Sequence, residues 1–189
     1  FFNQKIMKFD ISIIGYGVIG VESLYELTDK IKKKKKLNIA IIDKDLNNIP
    51  GGIAYSKAKS KFGFFNNPLR LSHPSFKQWL KDRKNIVRII NFVKNNYDYM
   101  LNEWLSLNIK NLIKKKISGE IYFPRLVYSF YLEDKIRDTI KLSKKIKLKL
   151  FFINGCVQDV KFKNDYLILN SKINFNFFSI SPNKRSLNF

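Results

Sequence analysis

Short apolar runs and a helical period alternate in the first part of the chain. Residues 10–14, DISII, form an apolar run that ends at a glycine, which predicts a buried strand. From Val18 to about Lys32, apolar residues recur at spacings of three and four, as on one helix face, at Val21, Leu24, Leu27 and Ile31. Residues 37–42, LNIAII, predict a second strand that ends at Asp43. This order predicts a parallel βαβ unit.

The middle of the chain predicts one long loop and then helices. The segment from Asp45 to Asn67 carries proline and glycine without a sustained period, which is typical of a loop. From Pro74 to Lys116 the apolar positions are helical, and we expect Ser72 or Ser75 to be the first N-cap. A further helix is predicted from about Arg125 to Lys145.

Strands return late in the sequence. Residues 148–152 and 157–162 predict two strands, and residues 165–171, DYLILNS, predict their hairpin partner. The last eighteen residues show no period. We expect one domain over residues 10–181 with a helical insertion at about 74–145. The remaining ends are predicted to be a leader (1–9, before a start at Met7) and a tail (182–189).

Composition restricts the partners only weakly. The hydrophobic fraction of 45% and the charged fraction of 27% are those of a globular domain. The sequence has no run of 18 apolar residues, so no membrane span is predicted. The net charge of +21 is compatible with nucleic-acid or membrane binding. However, only 6 of the 36 basic residues are arginine, and Lys, Asn, Ile and Phe all have A/T-rich codons. We therefore favour compositional drift over a nucleic-acid partner.

The single cysteine and the single histidine restrict the chemistry. Cys156 cannot form an internal disulfide, and we expect it to be buried near a strand and the protein to be cytoplasmic. His73 precedes a predicted helix, where a loop or capping role is the commoner one. Neither a zinc site nor a catalytic triad is expected. Trp79 and Trp104 are expected to be core residues.

Three glycines follow the first strand in the pattern GxGxxG. Gly15 permits a sharp exit from the strand, Gly17 lets the backbone approach a pyrophosphate, and Gly20 lets the helix pack closely. The start of the following helix supplies unpaired N–H groups to the phosphate. A carboxylate at Asp43 can accept both ribose hydroxyls of an adenosine and would repel the extra phosphate of NADP. An unrelated flavodoxin-like turn is the alternative.

Four later stretches extend this pattern over residues 10 to 170: PGGIAYS (50–56), FNNPLRLSHPSFKQWL (65–80), YFPRLVYSFYLEDKI (122–136) and NGCVQDVKF (154–162). With the βαβ start, their order resembles the FAD-NAD(P)-binding domain family, a branch of the two-dinucleotide-binding flavoproteins. The resemblance implies an α/β, Rossmann-like parallel sheet with a helical insertion and a small β hairpin. It also implies FAD as the cofactor, with NAD(P)H as a candidate second substrate.

The resemblance assigns roles to particular residues. The glycines would hold the pyrophosphate, Asp43 the ribose, and the loops Gly52–Tyr55 and Asn66–Pro68 would approach the flavin. Arg125 and Tyr131 would have a structural or anion-facing role, and the backbone of Val157 would contact adenine. The full set of candidate binding residues is Gly15, Tyr16, Gly17, Val18, Ile19, Gly20, Asp43, Lys44, Gly52, Tyr55, Asn66, Pro68, Arg125 and Val157.

Three departures from the family pattern stand out. Ile19 replaces a small residue and would crowd the phosphate, Ser129 replaces a glycine, and FFSISPNK matches the closing motif poorly. The sequence thus favours an FAD-binding oxidoreductase-like domain, as an N-terminal portion or truncated member. A non-catalytic nucleotide-binding remnant or interaction module is the alternative, and a basic nucleic-acid binder ranks last. No residue stands out as a catalytic acid or base.

Overall fold

The predicted βαβ start is present. Strand β1 (Ile11–Ile14) leads into helix α1 (Val18–Lys30), and strand β2 (Asn38–Asp43) follows it, parallel to β1. The middle of β2 is fully buried at Ile39, Ala40 and Ile41. Both strands and the helix begin and end within two residues of the boundaries that the apolar pattern predicts.

The structure is a computed structural model that describes residues 7–31, 36–46, 52–55, 63–96, 98–163 and 166–180. The chain divides into two compact units. We call Phe1–Ser56 together with Leu132–Phe189 the sheet unit, and Lys57–Tyr131 the helical unit.

The sheet unit is built on four strands in the order β1-β2-β3-β4. Strand β3 (Lys149–Lys163) runs parallel to β2, and strand β4 (Tyr166–Ile180) pairs with β3 in the antiparallel sense. The sheet is therefore mostly parallel and ends in a hairpin. This arrangement confirms the predicted α/β, Rossmann-like class.

Strand β1 is not the buried strand that its apolar run predicted. Its residues alternate between half-buried and exposed, and Ile14 is 54% exposed. The physical reason is position, because β2 is the sheet neighbour of β1 among the described strands and β1 forms an edge. A run of apolar residues does not tell an edge strand from a central one.

One long strand replaces the two separate late strands predicted at 148–152 and 157–162. Strand β3 stays continuous, and its register against β4 shifts between Ile153 and Gly155 and between Val157 and Asp159. Such shifts are β-bulges, which bend a strand without ending it. Strand β4 also continues past the predicted 165–171 to Ile180, into the stretch without period.

The expected loop 45–67 contains a short helix, α2 (Gly52–Tyr55), and its residues 47–51 and 56–62 lie outside the described part. The predicted helical region 74–116 consists of three helices: α3 (Pro74–Trp79), α4 (Arg83–Lys94) and α5 (Tyr99–Ile113). Helix α6 (Arg125–Lys145) has the predicted bounds, and the boundary between the units falls within it.

Side-chain caps explain where the helices of the helical unit begin. Asp82 accepts from the N–H of Lys84 at the start of α4, which lowers the pKa of its carboxyl group. At the start of α3 the cap is His73, whose ring nitrogen faces the N–H of Ser75 at 3.3 Å. The prediction of Ser72 or Ser75 as this cap was wrong, and the expected capping role of His73 is confirmed.

Aromatic side chains form the core of the helical unit. Phe76 is fully buried, and its ring lies 4.9–6.0 Å from those of Phe65, Trp79, Phe123, Tyr128 and Tyr131. Trp104 is also buried, and its ring N–H donates to the Tyr122 carbonyl at 2.9 Å. The predicted core role is therefore confirmed for Trp104, whereas Trp79 is only half-buried and stacks on the Phe76 ring.

The prediction for Cys156 was wrong, because this residue is exposed on β3. It lies where β3 pairs with β4 beyond the end of β2, so the strand there has a solvent-facing side. Within the described ranges, no helix is long and apolar enough to cross a membrane. The same part of the chain contains no group of His, Cys, Asp or Glu side chains that could hold a metal ion.

Candidate functional site

The glycine turn begins where β1 ends. Gly15 has a φ of +88°, a conformation that side-chain-bearing residues rarely adopt. Its N–H donates to the Ile42 carbonyl of β2 at 2.8 Å, which continues the strand pairing into the turn. The turn is therefore fixed to the second strand at its first residue.

Gly17 opens helix α1 and leaves space above the turn. It is the N-cap, has no side chain to cap the helix, and a Cβ built on it would meet no atom of the described residues within 4 Å. The N–H groups of the first helical turn, those of Val18, Ile19 and Gly20, have no acceptor inside a helix. Open space next to three such donors fits a phosphate group.

Gly20 has a packing role. A Cβ at this position would lie 2.1 Å from the carbonyl oxygen of Gly15, far inside any normal contact. Helix α1 can therefore lie this close to the end of β1 only with glycine there. This is the role that the third glycine of the pattern was predicted to have.

Asp43, at the end of β2, faces the turn. One carboxylate oxygen accepts from the N–H of Tyr16 at 2.6 Å, and the other accepts from the N–H of Asp45 at 2.9 Å. A carboxylate oxygen can accept more than one hydrogen bond, so both retain capacity for ribose hydroxyls. The structure thus brings the predicted acidic residue beside the predicted turn.

Asn154 is a site residue that the sequence analysis missed. It lies opposite Asp43 at the end of the parallel part of β3. The Asn154 amide nitrogen is oriented toward two backbone carbonyls. It donates to that of Asp43 at 3.2 Å and to that of exposed Lys44 at 3.0 Å. The available signal was one polar residue ending the apolar run LFFI, at the strand end where ligands of α/β sheets bind.

Tyr16 anchors the turn in the core of the sheet unit. Its side chain is 1% exposed, and its ring meets that of Phe152 edge-on at 5.5 Å. Burial raises the pKa of the hydroxyl. No described residue hydrogen-bonds to this hydroxyl, so Tyr16 acts here as a large apolar residue rather than as a donor to a ligand.

Replacing Tyr16 by phenylalanine is expected to raise the free energy of unfolding by about 1 kcal/mol, because a buried unpaired hydroxyl is costly. Thermal denaturation would measure this change. The control is Tyr131→Phe, expected to lower stability by about 1 kcal/mol because its hydroxyl bonds to that of Ser75. If Tyr16→Phe destabilised as much as the control, the Tyr16 hydroxyl would have a partner.

Other predicted residues of the sheet unit lie at different distances from the turn. Gly52, the first residue of α2, has a φ of +60°, and its built Cβ would be 3.4 Å from the Cα of Gly17. Helix α2, with Tyr55 at its end, therefore begins beside the turn. Val157 instead pairs with Ser171 across the hairpin and packs against the buried cluster Ala40, Ile42 and Ile153.

The helical unit holds the remaining candidates. The Arg125 guanidinium donates to the carbonyl of Phe64 at 3.0 Å and to the amide oxygen of Asn66 at 2.9 Å. Pro68 is buried, and Tyr131 is buried and bonded to Ser75. Arg125 thus bonds to two residues that precede it by about sixty positions. Its predicted structural or anion-facing role stays a prediction.

Two departures from the family pattern can now be described. The Ile19 side chain is 82% exposed, so it is not packed onto the turn. Ser129 is fully buried, and its hydroxyl donates to the Leu126 carbonyl at 2.7 Å within α6. A serine is therefore accommodated without an unpaired polar group. The third departure, FFSISPNK, lies partly outside the described residues.

A buried ion pair supports α1 from α6. The Lys135 side chain is 4% exposed and pairs with Glu22, whose side chain is 15% exposed. The ammonium group also lies 4.4 Å from the centre of the Tyr25 ring. The sequence analysis missed this pair because 113 positions separate the two residues.

The helical unit also has a shallow cavity of about 450 Å³, lined by Phe64, Trp104, Asn108, Ser118, Glu120, Ile121 and Tyr122. None of the predicted binding residues lines it. The Asn108 amide already donates to the Trp104 carbonyl, and the Ser118 hydroxyl accepts from the N–H of Glu120. The cavity is thus distinct from the candidate site.

A glycine turn that opens a helix, with a carboxylate at the end of the adjacent parallel strand, defines a dinucleotide-binding α/β domain. The chain belongs to the FAD-NAD(P)-binding family, whose model matches residues 12–175. This membership confirms the family that the sequence motifs resemble. No curated protein and no solved structure matches the chain. A flavin or nicotinamide dinucleotide is accordingly the class of ligand for this domain.

Proposed function

We propose that this chain is an FAD-binding, oxidoreductase-like domain. The diphosphate of FAD would lie over Gly17 against the first-turn N–H groups of α1. The adenosine ribose would bind the carboxylate of Asp43. The observation that carries the proposal is the bond between that carboxylate and the Tyr16 N–H, because it holds the acidic group beside the open space at the turn.

The charge at Asp43 supports FAD or NAD(H) over NADP(H). A 2′-phosphate on the ribose would come close to a carboxylate that already lies at the strand end, and like charges repel. Lys44, the next residue, is exposed and could face the phosphates from outside. FAD is preferred to NAD(H) because the motifs that follow the βαβ unit are those of the flavoprotein pattern.

The redox chemistry would belong to the flavin, which accepts and donates hydride equivalents when bound. The residues of this chain would bind and orient it. Gly15 and Gly20 set the shape of the turn, and Asn154 holds the carbonyls of Asp43 and Lys44. In the helical unit, Arg125 would hold the Phe64 carbonyl and the Asn66 side chain in place. Contact of Asn66, Pro68 or Tyr55 with a flavin stays a prediction.

Asp43→Asn is the variant that tests the ribose contact. It is expected to weaken FAD binding at least about tenfold, because it removes a charged acceptor worth about 1.5–3 kcal/mol. Binding of FMN, which has no adenosine, should not change. Quenching of flavin fluorescence during titration of the purified protein measures both affinities.

Asp10→Asn is a matched control at the other end of the same strand pair. Asp10 accepts from the N–H of Asn38 at 2.7 Å, much as Asp43 accepts from that of Tyr16. This variant should bind FAD as the unaltered protein does. An equal loss in both variants would mean that Asp43 acts through the sheet and not on the ligand.

The appearance of the purified protein separates the proposal from its alternative. A yellow protein, or a colourless one that takes up added FAD stoichiometrically, supports the flavoprotein assignment. A colourless protein that binds ADP-ribose but not FAD would indicate a nucleotide-binding module without flavin.

We place the protein in the cytoplasm, since an exposed single thiol such as Cys156 suits a reducing compartment.

A further inference from the structure

Helix α5 carries large apolar residues on both of its faces. One face is buried in the helical unit through Leu101, Trp104, Leu105 and Leu112. The opposite face exposes four further large side chains: Tyr99 at 78%, Met100 at 58%, Leu107 at 74% and Ile113 at 62%. Polar residues lie between them on this face, among them Asn102, Glu103 and Ser106. We call this mixed exposed face, from Tyr99 to Ile113, the stripe, and its four large apolar side chains indicate an interaction surface.

Two opposite charges lie within the same exposed stripe. Glu103 and Lys110 are both exposed and are seven residues, or about two helical turns, apart, which puts them on one side of the helix. Neither side chain forms an ion pair with any residue in the described ranges. The stripe therefore presents one acidic and one basic group near its centre line, with the apolar side chains at its margins and ends.

The stripe is complementary to itself. The midpoint of these residues lies between Ser106 and Leu107. In an antiparallel pair of identical helices, positions equally far from that midpoint face each other. Glu103 of each copy then faces Lys110 of the other copy, so the same ion pair forms on both sides of the axis.

We propose that two copies of this chain associate through antiparallel packing of their α5 helices, with a two-fold axis close to Ser106 and Leu107. The reciprocal Glu103–Lys110 pairs set the register, and the exposed apolar side chains supply the contact. A parallel arrangement would place like charges together, which costs affinity. The partner that fits this surface is therefore the chain itself.

The size of the surface indicates a weak dimer. Helix α5 has 15 residues and is about 22 Å long at 1.5 Å per residue. One helix pair of this length buries less than the ~1,200 Å² typical of stable complexes. The net charge of +21 on each copy adds repulsion. We therefore expect dissociation in the micromolar range, measurable by sedimentation equilibrium.

A charge-reversal cycle tests the register. Glu103→Lys alone and Lys110→Glu alone are each expected to weaken dimerisation at least about tenfold, because four like charges then meet at the axis. The double variant E103K/K110E restores opposite pairs and should recover the original dimerisation constant within about threefold. Asp138→Lys is the control, since it changes the net charge as E103K does but lies on α6, outside the stripe.

Each other outcome of this cycle overturns the proposal. A protein that stays monomeric throughout the micromolar range has another partner for this face, or none. Equal losses in E103K and D138K would show only an effect of total charge. A dimer that no variant weakens uses a different surface. A double variant that stays monomeric would exclude the proposed register.

Cross-linking gives an independent readout that does not depend on affinity. In a Cys156→Ser background, Leu107→Cys is expected to form a covalent dimer when an oxidant is added, because the two copies of this residue lie near the axis. Tyr99→Cys is the control, since its two copies lie at opposite ends of the helix pair. Efficient cross-linking through position 99 but not 107 would contradict the antiparallel arrangement.

Discussion

Gly20→Ala is expected to lower the free energy of unfolding by about 3 kcal/mol or more, the upper range for overpacking in a core. The added Cβ would lie 2.1 Å from the carbonyl oxygen of Gly15. That carbonyl cannot easily move, because Gly15 has a φ of +88° and its N–H is bonded to Ile42 of β2. Urea denaturation followed by circular dichroism, without any dinucleotide, measures the loss.

Gly17→Ala separates ligand binding from folding. A Cβ on Gly17 meets nothing within 4 Å in the part of the chain that the structure describes, and its φ of −73° suits alanine. This variant should therefore fold with nearly unchanged stability, yet bind FAD at least about tenfold more weakly, because the methyl group takes the space of the diphosphate. A Gly20→Ala variant as stable as the unaltered protein would contradict the close approach of α1 to the end of β1.

Lys135→Met is expected to have an effect of similar size, a loss of about 3 kcal/mol in the free energy of unfolding. The substitution removes the ammonium group that pairs with Glu22 while leaving that carboxylate mostly buried. Breaking a buried pair from one side typically costs about 3–5 kcal/mol. The double variant Glu22→Met with Lys135→Met should recover most of the loss, since neither charge then remains buried.

The exposed pair on the same helix provides the control for this prediction. Glu26 and Lys30 of α1 are also in ion-pair contact, but their side chains are 47% and 78% exposed. Lys30→Met is therefore expected to change stability by less than about 0.5 kcal/mol. Equal effects of Lys30→Met and Lys135→Met would show that the Glu22–Lys135 pair is solvated and does not fix α1 against α6.

Local patterns were sufficient for much of the fold. The spacing of Val21, Leu24 and Leu27 was enough to predict α1, since helical periodicity depends only on near neighbours in sequence. The bounds of α6 were predicted for the same reason. The exposure of Ile14 and of Cys156 was not, because it depends on whether another strand lies alongside. Pairing of that kind is a property of the whole sheet.

The candidate site divides in the same way. Gly15, Gly17, Gly20 and Asp43 belong to one βαβ unit, so their spacing alone predicts that they meet. Asn154 reaches the same strand end from more than a hundred positions later, and only the register of β3 against β2 places it there. The sequence predicted a loop or capping role for His73 but named Ser72 or Ser75 as the cap of α3. Which of several neighbouring side chains caps a helix depends on local backbone geometry.

Backbone amide shifts during a titration with FAD test the central claim most directly. We predict that the amide signals of Gly17, Val18, Ile19 and Gly20 move on addition of FAD and of ADP-ribose. In the Gly17→Ala variant, the amides of residues 17–20 should need at least about tenfold more FAD for the same movement. If FAD instead moved signals elsewhere and left these four amides unchanged, the glycine turn would not hold the diphosphate.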